Sequence, residues 1–340
     1  MNKHTLMLDA FVENIKKNYA DDIGMVIVYG SYVTQTMHEL SDIDVMFVGK
    51  TDRAYEMQKQ FIYEGIGYDF FCMPISRVHE IIDEFSPLIS IIAEGELIYA
   101  DSDEKVEHFT TLKNKINHLS EIEPVSKYFP NVEEVIKQLK TIAFDHQFAA
   151  LENKRHLQGK IIYAVMHYLQ LINRKHFKYG IKRIFEEIQS MELKPKTILY
   201  YLELLQKDTV GSKEIMTFVS MLDQYFQALQ KEFQEPFDPE AFKGFYEEEV
   251  SVWNKLIMAA KNNDLSTAFL AATSIENELS HYRMSFPMIT HLFSDYRSNV
   301  ESLVGSAKQA EIDILQLLKD HKIQVTVFHT LEAVIDYLLA

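Results

Sequence analysis

The chain changes rhythm about a third of the way along. Up to about residue 115, short β-branched runs alternate with segments whose apolar residues recur every three or four positions; beyond it the helical spacing is almost unbroken. Residues 25–29 (MVIVY), 43–48 (IDVMFV) and 66–73 (IGYDFFCM) are apolar runs of strand length bounded by Gly or polar residues, and 96–99 reads as a fourth short strand. Between them, residues 6–19, 53–64 and 75–85 carry the spacing of helices packed on a sheet. Residues 119–131, with Pro124 and Pro130 among polar neighbours, suit a connector. Amphipathic segments follow at 132–157, 160–176, 181–191, 212–233, 247–262, 265–282 and 296–321, with QVTVF at 324–328 as a stray strand. The expected fold is α+β: a small mixed sheet with helical cover over 1–118, a linker at 119–131 and a helical bundle over 132–340.

Composition narrows the function classes. Lys and Arg total 34 against 50 Asp and Glu, a formal charge of −16, and so negative a surface repels a phosphate backbone at long range. General nucleic-acid binding and templated polymerisation are therefore not expected, whereas Mg2+ or a cationic small molecule would be attracted. No apolar run approaches the roughly 18 residues that span a bilayer, and the first residues carry acids instead of a signal-peptide core. A soluble cytoplasmic protein with no membrane partner is the expectation. The one cysteine, Cys72, permits no internal disulfide and is expected to pack as a small hydrophobe. His146, His156, His167 and His176 lack paired zinc-ligand spacing, so no zinc site is expected.

The candidate chemistry lies in residues 26–48, VIVYGSYVTQTMHELSDIDVMFV. A strand ends at Gly30-Ser31, a turn and short helix are expected next, and the following strand opens with Asp42-Ile43-Asp44. Strand alternation puts Asp42 and Asp44 on one side, and two same-face carboxylates with no intervening Lys or Arg call for a cation such as Mg2+. Gly30 allows a sharp turn and close backbone approach, while Ser31 offers a hydroxyl and N–H groups to phosphate oxygens. Asp69, in YDFF on the next strand, is placed to join the pair as a third metal ligand or as proton acceptor.

This Gly-Ser turn, followed by Asp-hydrophobic-Asp and a third strand acid, resembles the DNA polymerase β nucleotidyltransferase superfamily over the first hundred residues. Within it the layout is similar to antibiotic nucleotidyltransferases of the kanamycin and lincosamide type, which join such a domain to a C-terminal helical bundle. LINRKHFKYGIKRIFEEI at 171–188 is similar to the substrate-binding half of bacterial relatives. The resemblance implies Mg2+-dependent transfer of NMP, with ATP the first donor to consider, to a hydroxyl of a small, aminoglycoside-like acceptor. Asp42, Asp44 and Asp69 would then be metal ligands, Asp69 alternatively the base, and Gly30 and Ser31 would hold the triphosphate. Many members carry a phosphate-binding Arg where this chain has Thr34, so a cation from the helical half, Lys182 or Arg183, would supply that charge. Some members form dimers in which a helical-domain glutamate is the base, which points to Glu152 and to a homodimer. Two other readings stand beside this one: a protein adenylyltransferase of the antitoxin type, and a non-catalytic nucleotide-sensing or interaction protein, for which Thr34 is the support.

Overall fold

The computed structural model describes residues 3–207, 210–233, 242–282 and 300–339. These form two compact units, Met1–Leu229 and Gln230–Ala340. The first begins with α1 (Lys3–Asn14), extended by one π-helical turn to Tyr19, and then strands β1 (Ile23–Tyr29), β2 (Asp44–Gly49), β3 (Lys59–Tyr63) and β4 (Ile66–Pro74). After α2 (Ile75–Asp83) and α3 (Ser90–Ala93) comes β5 (Glu96–Ala100). The sheet order is β3-β4-β2-β1-β5, with β2 and β4 parallel and the other pairs antiparallel. Helices α4 (Asp103–Asn117), α5 (Leu119–Ile122), α6 (Phe129–Phe148), α7 (Leu151–Asn173), α8 (Ile184–Ser190), α9 (Ile198–Leu205) and α10 (Ser212–Glu232) follow. In the second unit α11 (Phe245–Lys261), α12 (Leu265–Tyr282) and α13 (Val300–Asp320) share a core around Trp253, Leu256, Ile275, Leu303 and Ile314, and α14 (Leu331–Leu339) buries no residue. Among the described residues no helix is long and apolar enough to cross a membrane.

Alternation along the strands divides the sheet into two faces. Val26, Val28, Val45, Phe47, Tyr68 and Phe70 point to α1, packing on Leu8, Phe11 and Ile15. Met25, Ile27, Met46, Val48 and Met73 point the other way, into a core that continues through α6, α7 and α9 to Leu229 on α10. Gln170 on α7 reinforces this join, its buried amide donating to the Phe85 and Ser86 carbonyls at 3.0 and 2.9 Å. The 119–131 segment belongs to that core: it forms α5, a 3-10 turn at Val125–Tyr128 and the start of α6, with Leu119, Val125 and Tyr128 buried.

Three local expectations are corrected. Residues 53–64 are a 3-10 helix, Asp52–Met57, followed by β3, which closes a hairpin onto β4 with Tyr63 opposite Ile66. The two turn residues, Glu64 and Gly65, have φ of 50° and 76°, the left-handed pair that a tight hairpin requires. The break between the first two long helices falls at Ala149–Ala150, both extended, and Gly159 lies inside α7. Alanine carries no stop signal, so the break is set by the packing of α6 along α7. Residues 324–328 form no strand. Of the expected helix at 296–321, residues 296–299 lie outside the described part.

Cys72 on β4 is buried, and burial pushes its thiol up to about 11. At pH 8 the thiolate is scarce, so iodoacetamide should label folded protein at least roughly 100-fold more slowly than glutathione, and at a normal rate in denaturant. Rapid labelling of the folded protein would contradict this packing.

Candidate active site

β1 runs into Gly30, and β1 and β2 pair with Tyr29 opposite Asp44. The alternation that sends Val45 and Phe47 toward α1 sends Asp44, like Met46 and Val48, toward the helix-covered face. Ile43 is fully buried, with Asp42 and Asp44 half-buried on either side of it. In the parallel β2–β4 pair Val45 lies beside Phe70, so one position earlier Asp69 is the lateral neighbour of Asp44. The Gln60 amide on β3 donates to Asp69 Oδ1 at 3.3 Å.

The turn after β1 is shaped by close approach. Gly30 has φ of 72°, and a Cβ there would stand 2.0 Å from Asp44 Oδ2, so only glycine lets the carboxylate lie against the turn. Residues 30–35 are turn and not helix, which corrects the short helix expected after Ser31; no helix dipole acts there. Thr34 is used internally: its N–H and its hydroxyl both donate to the Gly30 carbonyl at 3.1 Å, and the hydroxyl lies 2.9 Å from that of Thr36. The Ser31 N–H has no backbone acceptor among the described residues.

Gly30, Ser31, Thr34, Asp42 and Asp44 line a cavity of about 370 Å³, closed from the helical side by Glu94 and by the 178–182 loop. Lys182 Nζ donates to the Thr36 carbonyl at 3.4 Å. Glu94 is hydrogen-bonded to His176 Nε2 at 2.8 Å and lies 3.5 Å from Lys178 Nζ. The loop is held by Glu187, whose carboxylate accepts from the Lys178 and Tyr179 N–H groups at 2.7 and 3.0 Å, and the Arg183 guanidinium sits 4.7 Å from the Tyr179 ring centre.

The charges are strongly coupled. Burial first, then the Asp42 carboxylate and Asp69, push Asp44 up to about 6 against the opposing pull of Lys182. Burial, and then Asp44, Asp69 and Asp42, push the Tyr29 phenol well above its ordinary range. The His176 hydrogen bond holds Glu94 below the usual carboxylate range. Half-buried carboxylates at Asp42 and Asp44 repel one another, and their hard oxygen donors are of the kind that suits Mg2+. Among the described residues no three His, Cys, Asp or Glu side chains form a ready-made metal cage. An ion at Asp42 and Asp44 would complete its shell with oxygens from its ligand.

The structure thus brings together Gly30, Ser31, Thr34, Asp42, Asp44 and Lys182 in one cavity, with Asp69 beside Asp44. It does not bring Glu152, which is exposed in the first turn of α7, or Arg183, which lines a neighbouring cavity. Sequence reasoning missed Glu94 and Lys178; the one available signal was that Lys178 and Lys182 share a single short basic segment.

The segment that carries the paired strand carboxylates and the Gly-Ser turn, residues 12–104, matches the family model described as Polymerase beta, Nucleotidyltransferase. This part of the chain is a nucleotidyltransferase domain of the polymerase β superfamily. Over 149 residues, 42% of this chain and 88% of the other, the sequence is 25% identical to a Methanocaldococcus jannaschii protein named "Putative protein adenylyltransferase". It is also similar to the crystal structure of a nucleotidyltransferase-like protein from Exiguobacterium sibiricum, at a TM-score of 0.41 and 11% identity, over 68% of this chain and 82% of that one.

Proposed function

We propose that this protein transfers a nucleoside monophosphate from an Mg2+-bound nucleoside triphosphate, ATP first, to a hydroxyl of a small acceptor. The observation that carries this reading is the convergence of Asp42, Asp44, the Gly30-Ser31 turn and Lys182 on one cavity within a nucleotidyltransferase domain. Asp42 and Asp44 would hold Mg2+, which when bound supplies charge neutralisation at the transferring phosphorus and the departing pyrophosphate. The Ser31 N–H and hydroxyl bind phosphate oxygens, and Lys182 replaces the arginine that Thr34 does not provide. The acceptor oxygen forms a bond to the α-phosphorus, the bond to the β-phosphate oxygen breaks, and pyrophosphate leaves. The hydroxyl proton passes to a carboxylate, with Asp69 beside Asp44 as its acceptor. The protein's contribution is position and charge, with no covalent enzyme intermediate.

A second reading, transfer to a protein hydroxyl, is favoured by the Methanocaldococcus relative. The test common to both is calorimetry with ATP and GTP, with and without Mg2+. Wild type should bind in an Mg2+-dependent manner, Asp42→Ala/Asp44→Ala should lose that dependence while still folded, and Lys182→Ala should weaken affinity about 10- to 100-fold. Binding indifferent to metal and to both substitutions would sink the proposal. Labelled ATP then separates the acceptors: label on a small molecule supports the first reading, label on protein the second.

A further inference from the structure

A second cavity, of about 540 Å³, adjoins the acidic one within the same unit, and Ile181 and Lys182 line both. Its walls are Ile162, Tyr163 and Met166 of α7, Ile184 and Phe185 of α8, and Leu202 of α9. Tyr163 and Ile181 are 60% and 64% exposed, so large apolar surface meets solvent in a concavity, the usual form of a small-molecule site. The charged groups there are Lys182, Arg183 and Glu186, two cations against one acid. Arg183 is oriented by its stacking on Tyr179, and among the described residues no carboxylate pairs with it.

We infer that this pocket seats the body of the acceptor: a ring-bearing apolar group with an anionic substituent facing Arg183, whose hydroxyl reaches past Lys182 into the cavity of Asp42 and Asp44. The inference rests on the nucleotidyl-transfer reading. It also turns away from the aminoglycoside-like acceptor, because a polycation would meet Lys182 and Arg183 across a mostly apolar wall and lose hydration without compensation. An aromatic or alicyclic anion gains on both counts, by burying apolar area and by pairing the guanidinium.

The probes are two dyes of the same ring system, 8-anilinonaphthalene-1-sulfonate and its uncharged counterpart N-phenyl-1-naphthylamine, titrated by fluorescence into the full chain. Gly159 lines the pocket from inside α7, and a Cβ there would meet no atom within 4 Å, so Gly159→Phe fills the space while improving helix propensity. Gly159→Leu serves as a smaller plug if the larger one disturbs folding. Wild type should bind both dyes saturably. Gly159→Phe should weaken both at least about tenfold while Mg-ATP affinity by calorimetry stays unchanged, and Arg183→Ala should weaken the sulfonate dye about tenfold and leave the uncharged one alone. Dye binding untouched by both plugs, with normal Mg-ATP binding, overturns the pocket assignment by itself. Equal loss of both dyes in Arg183→Ala overturns the anion preference. Dyes behaving as expected in a wild type that binds no Mg-ATP overturns the acceptor role through failure of the nucleotide reading.

Discussion

Asp44→Asn should make the protein more stable and less able to bind nucleotide, with the stability gain confined to neutral and alkaline pH. Burial and two neighbouring carboxylates hold Asp44 at about 6, against an ordinary value of 3.8. A folded-state value above the unfolded one means that the native protein keeps a proton the unfolded chain has released. Stability from this group is complete below about pH 4, falls as pH rises through about 6, and stays lowered above it. Partial exposure softens the penalty to roughly 1–3 kcal/mol at pH 8, and the isosteric amide removes it. In EDTA at pH 8 the first thermal transition of Asp44→Asn should lie several degrees above wild type, and the two should coincide near pH 4. In the same variant Mg2+-dependent ATP affinity should drop by roughly 100-fold on the proposed reading, since the amide keeps a carbonyl oxygen but loses the negative charge offered to the ion. A melting point at pH 8 below that of wild type would contradict this account of the carboxylate cluster.

Gly30→Ala should lose stability and nucleotide binding together. Its added methyl meets Asp44 Oδ2 at 2.0 Å and must also adopt φ of 72°. Left-handed strain and the displaced carboxylate together should cost roughly 2–4 kcal/mol. Gly65→Ala is the matched control, because Gly65 has φ of 76° in the β3–β4 hairpin but open space around its Cβ position. That variant should lose about 1 kcal/mol and bind Mg-ATP normally. Equal effects at the two glycines on nucleotide binding would mean that contact with Asp44 is not what makes Gly30 necessary.

The sheet and its acids were legible because their determinants are local. MVIVY and DVMFV are short apolar runs with sharp ends, and period-two alternation alone places Asp42 and Asp44 opposite Ile43. The β3–β4 hairpin was hidden because KQFIY is an exposed edge strand whose Phe61 continues the three-and-four spacing of Ala54 and Met57, and its two-residue turn at Glu64-Gly65 is the feature that decides. Glu94 and Lys178 were out of reach for another reason. They lie far from the motif in sequence and meet it through the packing of α3 and of the loop after α7 against the sheet, a tertiary arrangement that no spacing rule encodes. Glu152 shows the converse: a residue suggested by resemblance and plausible in type stands on an exposed first turn, away from the cavity.

The continuity of the core from the sheet to α10 bears on how such a protein can change its substrate. Residues 12–104 carry the family match, yet the core on one face of their sheet runs on from α2 and α3 into α6, α7 and α9 outside that segment, and Lys182 comes from outside it too. Exchanging the helical half by recombination would open the part of that core built by α6, α7 and α9 and remove the cation from the cleft in a single event. On the acceptor assignment inferred above, a change of specificity is expected from point changes on the 178–186 segment and the facing turns of α7, with the shared interior held constant.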